Sequence, residues 1–284
     1  MDRIRIVADS SCDLLALPGV DFASVPLTLR TDSEEFRDDA SLDVNAMVET
    51  LRSTKGRTYS ACPNVADWEA AFDGSEANED RAADVLAFTI TSGLSGSYNA
   101  AFTAKEDCEE RDPSRRIHVT DTLSAGPEIA LLIEKAASEI RSGADFDAVC
   151  RTVEEYRDRT HLLFALESLH NLAQNGRVGK IAATMAGVLG IRVVGQASGE
   201  GTLEMLGKCR GPRKTQEFLL SQMERLGYQG GAVRLGHCQN EPLAQGIRDS
   251  IVSRFPDADV RVYPLRGLCS YYAERGGIML GFES

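Results

Sequence analysis

The sequence predicts an α/β protein of two domains, and three patterns carry that prediction. Apolar runs of strand length, such as Val85-Leu86-Ala87-Phe88-Thr89-Ile90, alternate with helix-compatible stretches. Turns rich in Ser and Gly follow the carboxyl ends of several of these runs. The chain has 284 residues, 43% hydrophobic and 26% charged, enough for two cores in a soluble globular protein. Alternation of strand and helix in the first half implies a mostly parallel sheet with helices on both faces.

In chain order, Ile4-Arg5-Ile6-Val7-Ala8 is a short strand and Asp9-Ser10-Ser11-Cys12-Asp13 the polar turn after it. A carboxylate and two hydroxyls just past a strand's carboxyl end stand where open α/β sheets place ligands, and they also suit an Asx-type turn. Ser24 to Arg30 reads as a second strand. Ser41 reads as the cap of a helix with Val44, Met47, Val48 and Leu51 at i, i+3, i+4, i+7 spacing. Ser60-Ala61-Cys62-Pro63-Asn64 is a loop of small residues, with Asn64 and Asp67 capping a helix that carries Trp68, Ala71 and Phe72. The strand Val85 to Ile90 enters the turn Thr91-Ser92-Gly93-Leu94-Ser95-Gly96-Ser97, and a helix starts there. Ile117 to Thr120 is a strand. The helix after it has Pro127 in its first turn and Gly143 as its stop. Phe146 to Tyr156 is one more helix, with Val149, Cys150 and Val153 on its inner side.

A domain boundary is placed near residue 158, giving domains of 1–158 and 159–284. The second opens with the strand His161 to Leu166, then a polar stretch, Leu169 to Gly179, and an Ala/Met/Leu helix ending at Gly190. Ile191–Gln196 and Thr202–Cys209 form a hairpin around Ala197-Ser198-Gly199-Glu200-Gly201. A helix (Pro212 to Leu226), a strand (Ala232 to His237), a helix (Pro242 to Phe255), a strand (Asp259 to Leu265) and a last apolar run (Gly277 to Phe282) complete it.

Composition narrows the function. A net charge of −12 and a pI of about 4.9 argue against nucleic acid as a partner, because phosphate contacts need clustered Lys and Arg. No apolar run is long enough to span a membrane, which leaves only transient membrane contact. The N-terminus enters a strand within three residues, leaving no room for a signal peptide. Seven widely spaced cysteines without a C-x-x-C pair suggest neither disulfides nor zinc, so the expected location is cytoplasmic. Against the acidic whole, Arg177, Lys180, Arg192, Lys208, Arg210, Arg213 and Lys214 face only Glu200 and Glu204, a local charge of +5. Such a segment suits a phosphorylated ligand or an acidic partner, and equally a solvated face paired elsewhere.

The turn before the helix at Ser97 offers unpaired N–H groups, the positive end of a helix dipole, close approach at Gly96 and serine hydroxyls. It suits a carboxylate or phosphate, and it also suits plain N-capping by Ser95 or Ser97. A serine-dependent hydrolase or acyltransferase using Ser95 is the enzymatic alternative. Gly93-Leu94-Ser95-Gly96-Ser97 has serine where the nucleophile elbow needs its last glycine, and His237 is the best-placed base. No phosphate-loop or dinucleotide fingerprint and no metal-ligand cluster occurs, so neither a cofactor nor a metal is expected. Two Ser-rich loops remain, and Ser60, Ser95 and the Gly96 amide together could satisfy a buried anion.

Five segments in order carry a resemblance. They are Val7-Ala8-Asp9-Ser10-Ser11-Cys12-Asp13, Ser60-Ala61-Cys62-Pro63-Asn64, Leu94-Ser95-Gly96-Ser97-Tyr98, Asp121-Thr122 and Gly176-Arg177-Val178-Gly179, with Arg210-Gly211 closing the basic segment before a helix. They resemble the signature segments of the DegV family over residues 4 to 282. The resemblance implies two α/β domains with one long-chain fatty acid in a tunnel between them, held by a carrier without catalysis of its own. Carried over by motif, the acid's carboxylate falls to Ser60 and Ser95 with the Gly96 amide. Some relatives deliver the acid to a separate fatty-acid kinase, and on that view Arg177 and Arg210 belong to a partner-facing surface. Two segments depart from the family pattern. The T-S-x-P-S loop keeps one hydroxyl, Ser60, and Tyr272 stands where many relatives have a histidine near the carboxyl group. A tyrosine hydroxyl can donate a hydrogen bond but cannot become cationic.

Overall fold

Two large sheets and one small one organise the computed structural model, which describes residues 4–74, 84–178 and 190–284. The chain runs through β1 (Ile4–Asp9), a 3-10 turn (Ser10–Cys12), β2 (Asp21–Val25), β3 (Thr28–Arg30), β4 (Glu35–Arg37), α1 (Val44–Ser53), β5 (Tyr59–Ala61) and α2 (Val65–Asp73). It continues with β6 (Asp84–Thr89), α3 (Ser97–Arg111), β7 (Arg116–Asp121), α4 (Pro127–Ser142) and α5 (Phe146–Arg157). Next come β8 (Thr160–Leu166), α6 (His170–Gln174), β9 (Ile191–Ala197), β10 (Leu203–Arg210) and α7 (Pro212–Arg225). The chain ends with β11 (Val233–His237), α8 (Glu241–Arg254), β12 (Val260–Pro264), α9 (Gly267–Ala273) and β13 (Ile278–Glu283).

The first sheet, β2-β1-β6-β7, is wholly parallel, as the alternating pattern predicts. Helices α4 and α5 cover one face through Ile129, Leu132, Ile133 and Val149. Helices α2 and α3 cover the other through Trp68, Phe72, Ala101 and Ala104. The second sheet, β10-β9-β8-β13-β11-β12, is antiparallel except for the β11/β12 pair. Alternation along β8 splits its side chains. Leu163 and Ala165 join the core beneath α7 and α8, while Leu162, Phe164 and Leu166 face the first half of the chain. A small antiparallel sheet, β4-β3-β5, stands between them.

Local chemistry corrects several expectations. The strand expected from Ser24 to Arg30 is two strands in two sheets, because Pro26 lies between them and has no N–H to donate to a ladder. Asp43, whose carboxylate accepts from Ala46 N, caps α1; Ser41 instead bonds the Asp39 carboxylate. Ser60 lies in β5, a strand rather than a loop. The cap of α3 is Gly96 and not Ser95 or Ser97. The Asn64–Asp67 capping box of α2 is present, as are Pro127 and Gly143 at the two ends of α4. Gly179, Lys180 and the Ala/Met/Leu helix expected before Gly190 lie outside the described residues.

Candidate functional site

Asp9 builds the loop between β6 and α3 from beneath. Its buried carboxylate accepts from Ser11 N (3.2 Å), Ile90 N (2.9 Å), Ser97 Oγ (2.6 Å) and the Ser11 hydroxyl. Burial raises its pKa above the usual carboxylate range, and these four donors pull it back. The polar turn after β1 is therefore a support, tying the first strand to the start of α3. Above it, Leu94 N and Ser95 N each donate to Thr91 O at 3.2 Å, and Ser95 Oγ accepts from Ser97 N at 3.2 Å.

This loop forms one wall of a cavity of about 280 Å³ between the first half of the chain and the second sheet. Leu162, Phe164 and Leu166 of β8 and Met279 of β13 make its floor, and Leu268, Cys269, Tyr272 and Ala273 bring α9 alongside. Leu27 and Ile90 close the apolar lining from the first half.

The polar groups of the lining gather at one end. Ser60 Oγ and Tyr272 Oη are 2.6 Å apart, and burial pushes the Tyr272 hydroxyl pKa up while the Ser60 bond and Arg177 pull it down. The Arg177 guanidinium stands 5.8 Å from the centre of the Tyr272 ring, a cation–π contact. Its Nε donates to Leu94 O (3.1 Å) and its Nη1 to Asn175 O (2.9 Å). Among the described residues no carboxylate forms an ion pair with it. Leu94 leads directly into Ser95 and Gly96, and a Cβ placed on Gly96 would lie 3.4 Å from Cys62 Sγ, two residues past Ser60. Ser60, Ser95, Gly96, Tyr272 and Arg177 thus share one pocket wall.

A second row of bonds holds this end in place, and sequence reasoning missed it. Thr58 Oγ1 donates to Gln174 Oε1 (2.9 Å), so its 2.7 Å bond to Tyr271 takes the tyrosine proton; Asn175 Nδ2 then donates to Tyr271 Oη at 2.8 Å. Thr58 and Ser60 are alternate residues meeting consecutive tyrosines, whose rings pack edge to face at 4.8 Å. The i, i+4 pair Asn171 and Asn175 was the available hint, since both side chains bond α9.

Arg177, expected on a partner-facing surface, is half-buried and lines the pocket, where the Asn175-Gly176 turn, with Gly176 at φ +73°, folds the chain back. Arg210 is exposed at the end of β10 and takes no part in the pocket. The basic segment is no single face: Arg192 is buried against Glu167, and Arg213 pairs with Glu217 at 2.9 Å. His237, the base the hydrolase alternative needs, accepts from Asn240 N at 3.4 Å, and none of the four histidines lines this pocket. No helix among the described residues is long and apolar enough to cross a membrane.

A profile described as an uncharacterised protein of the DegV family matches residues 3–283. A DegV domain-containing protein of Streptococcus pneumoniae strain R6 is 42% identical over 283 residues, covering 98% of each chain. Two crystal structures superpose closely. A DegV family protein from Eubacterium eligens loaded with heptadecanoic acid has a TM-score of 0.93 and 44% identity. The Streptococcus pneumoniae fatty acid kinase B3 protein loaded with linoleic acid has a TM-score of 0.94 and 41% identity. Each match covers 99% of both chains.

Proposed function

This chain belongs to the DegV family, and we propose that it is a carrier holding one long-chain fatty acid in the pocket between its two halves. The observation that carries the proposal is the pocket's polarity: an apolar channel whose polar lining, Ser60, Ser95, Gly96, Tyr272 and Arg177, lies together at one end. A fatty acid has the same division. Its carboxylate meets hydroxyl donors and an arginine without a carboxylate partner among the described residues, and its hydrocarbon meets Leu, Ile, Phe and Met side chains. The two fatty-acid-loaded relatives at 44% and 41% identity support the same ligand class.

Burying about 14 methylenes yields on the order of 11 kcal/mol gross, from which ligand ordering and association costs are subtracted. The hydrocarbon supplies affinity and the polar end supplies orientation. Arg177 contributes the counter-charge, and Ser60 and Tyr272 contribute hydroxyls already paired to each other. Any activation of the carboxyl group falls to a separate fatty-acid kinase, a partner suggested by the name of the pneumococcal relative. Tyr272 cannot supply a cation at the carboxyl group, which leaves that charge to Arg177.

Denaturing extraction of the purified protein followed by mass spectrometry tests the proposal. The expected result is one fatty acid per chain, or stoichiometric uptake of an added acid. A protein that yields none and takes up none overturns the carrier reading.

A further inference from the structure

Helix α9 is a wall between two cavities. Leu268, Cys269, Tyr272 and Ala273 line the acyl pocket, while Ser270, Tyr271, Glu274 and Arg275 line a second cavity of about 330 Å³. Pairs of residues four apart on each side are the spacing of a helix with both faces in use. Two other segments divide in the same way. Ser60 and Leu172 line the acyl pocket, and Thr58 and Asn171 line the second cavity. Val48 and Leu51 of α1 give that cavity its apolar side.

Most charged groups on the second lining are already engaged. Arg52 pairs with Glu49 at 2.8 Å, Glu167 pairs with the buried Arg192, and Glu274 accepts from Asn171 N at 3.0 Å. Glu274, at φ +52°, turns the chain off the end of α9, and its carboxylate goes to α6. Arg275 is exposed, and among the described residues its side chain makes no hydrogen bond or ion pair; the same holds for the His170 imidazole. Two hydroxyls on the lining keep room to accept. Thr54 Oγ1 donates to Thr50 O at 2.8 Å and Ser270 Oγ to Leu265 O at 2.9 Å, which leaves their oxygen lone pairs for a ligand O–H. The complement of this lining is a small molecule with one anionic group for Arg275 and His170 and hydroxyls for Thr54 and Ser270.

We propose that this cavity is a second ligand site, for a small hydroxylated anion of the sugar-phosphate class, and that an anion held there weakens binding of the fatty-acid carboxylate across α9. The site stands on its own residues, and the coupling rests on the fatty-acid reading. Two negative charges on opposite sides of one helix, about 10 Å through, repel each other. The wall between them is thin: Tyr271 of the second cavity packs edge to face on Tyr272 of the acyl pocket at 4.8 Å. The coupling is reciprocal, so a bound acid lowers affinity for the sugar phosphate by the same factor.

The test is calorimetric titration of the full chain with glucose 6-phosphate, with glucose and inorganic phosphate as controls. Fatty-acid and methyl-ester binding are then measured with and without saturating glucose 6-phosphate. Wild type should bind one sugar phosphate per chain, more tightly than either control. Arg275→Gln should weaken this by about tenfold or more, because it removes a charge-assisted bond. The same change on an exposed side chain should leave fatty-acid affinity without sugar phosphate within about twofold. Saturating sugar phosphate should weaken a long-chain acid by about threefold to tenfold at low salt, less at high salt, and leave the uncharged ester unchanged. No binding of glucose 6-phosphate, or binding that Arg275→Gln leaves intact, overturns the site. Inorganic phosphate bound as tightly as the sugar phosphate overturns the hydroxylated class. Equal effects on acid and ester, or none on either, overturn the coupling alone. Protein that binds the sugar phosphate but neither acid nor ester overturns the carrier reading and leaves the site standing.

Discussion

Replacing Arg177 with methionine removes the charge from the polar end while keeping an unbranched side chain. The guanidinium is half-buried, has no carboxylate partner among the described residues, and uses Nε and Nη1 on the carbonyls of Leu94 and Asn175. A hydrogen bond between it and a bound carboxylate is charge-assisted, worth about 1.5–3 kcal/mol. Arg177→Met should therefore weaken binding of a long-chain acid by about tenfold to about 150-fold. The methyl ester of the same acid carries no charge and keeps the whole hydrocarbon, so its affinity should change far less. The two lost carbonyl bonds should also cost about 2 kcal/mol of folding stability, a separate quantity read by urea unfolding without ligand. Competition against a fluorescent fatty acid measures both ligands on folded protein. Equal losses for acid and ester, or no loss for the acid, would refute the counter-charge role of Arg177.

Further outcomes follow from the same geometry. Ser95→Ala should weaken the acid more than its ester in that assay, by about 1 kcal/mol. Ser97→Ala leaves the buried Asp9 carboxylate one donor short and should cost about 1–3 kcal/mol in urea unfolding. Gly195→Ala puts a Cβ within 2.3 Å of the Phe164 ring and should either push that ring into the pocket, weakening long acids, or strain β9. Burial raises the Asp13 carboxyl pKa to about 8, with Asp38 adding to the rise. The native state thus holds a proton that the unfolded chain releases above about pH 3.8, and stability should fall as pH rises from there through about 8, by at most about 1.4 kcal/mol per pH unit. Asp13→Asn, which keeps an acceptor for Arg266 N, should flatten that slope in unfolding midpoints taken across the range.

What the sequence made legible was local. The strand–turn–helix at Val85 to Phe102 follows from an apolar run, a Gly/Ser turn and a helix start, all within one stretch, and the structure keeps it. The Asn64–Asp67 box and the ends of α4 are equally short-range signals. The misreadings concern where segments lie relative to one another. Pro26 ends one strand and lets the chain cross into another sheet, a choice that depends on partners far along the chain. Helix α9 has seven residues buried nearly all round, so no amphipathic period marks it. The bonds Thr58–Tyr271 and Ser60–Tyr272 join residues more than 200 positions apart, and no spacing rule reaches that far. The partner-facing expectation for Arg177 comes from the Gly176-Arg177-Val178-Gly179 segment, and nothing in that segment told of its place in the pocket lining. Among the described basic residues, Arg192 of β9 is buried against Glu167 while Arg210 at the end of β10 is exposed.

The carrier account is tested most directly by a crystal structure of this protein grown with a long-chain fatty acid. The hydrocarbon should lie along β8 against Phe164 and Met279, with its carboxylate within hydrogen-bonding reach of Ser60 or Arg177. A chain bound in the opposite sense, or density outside this pocket, would contradict it.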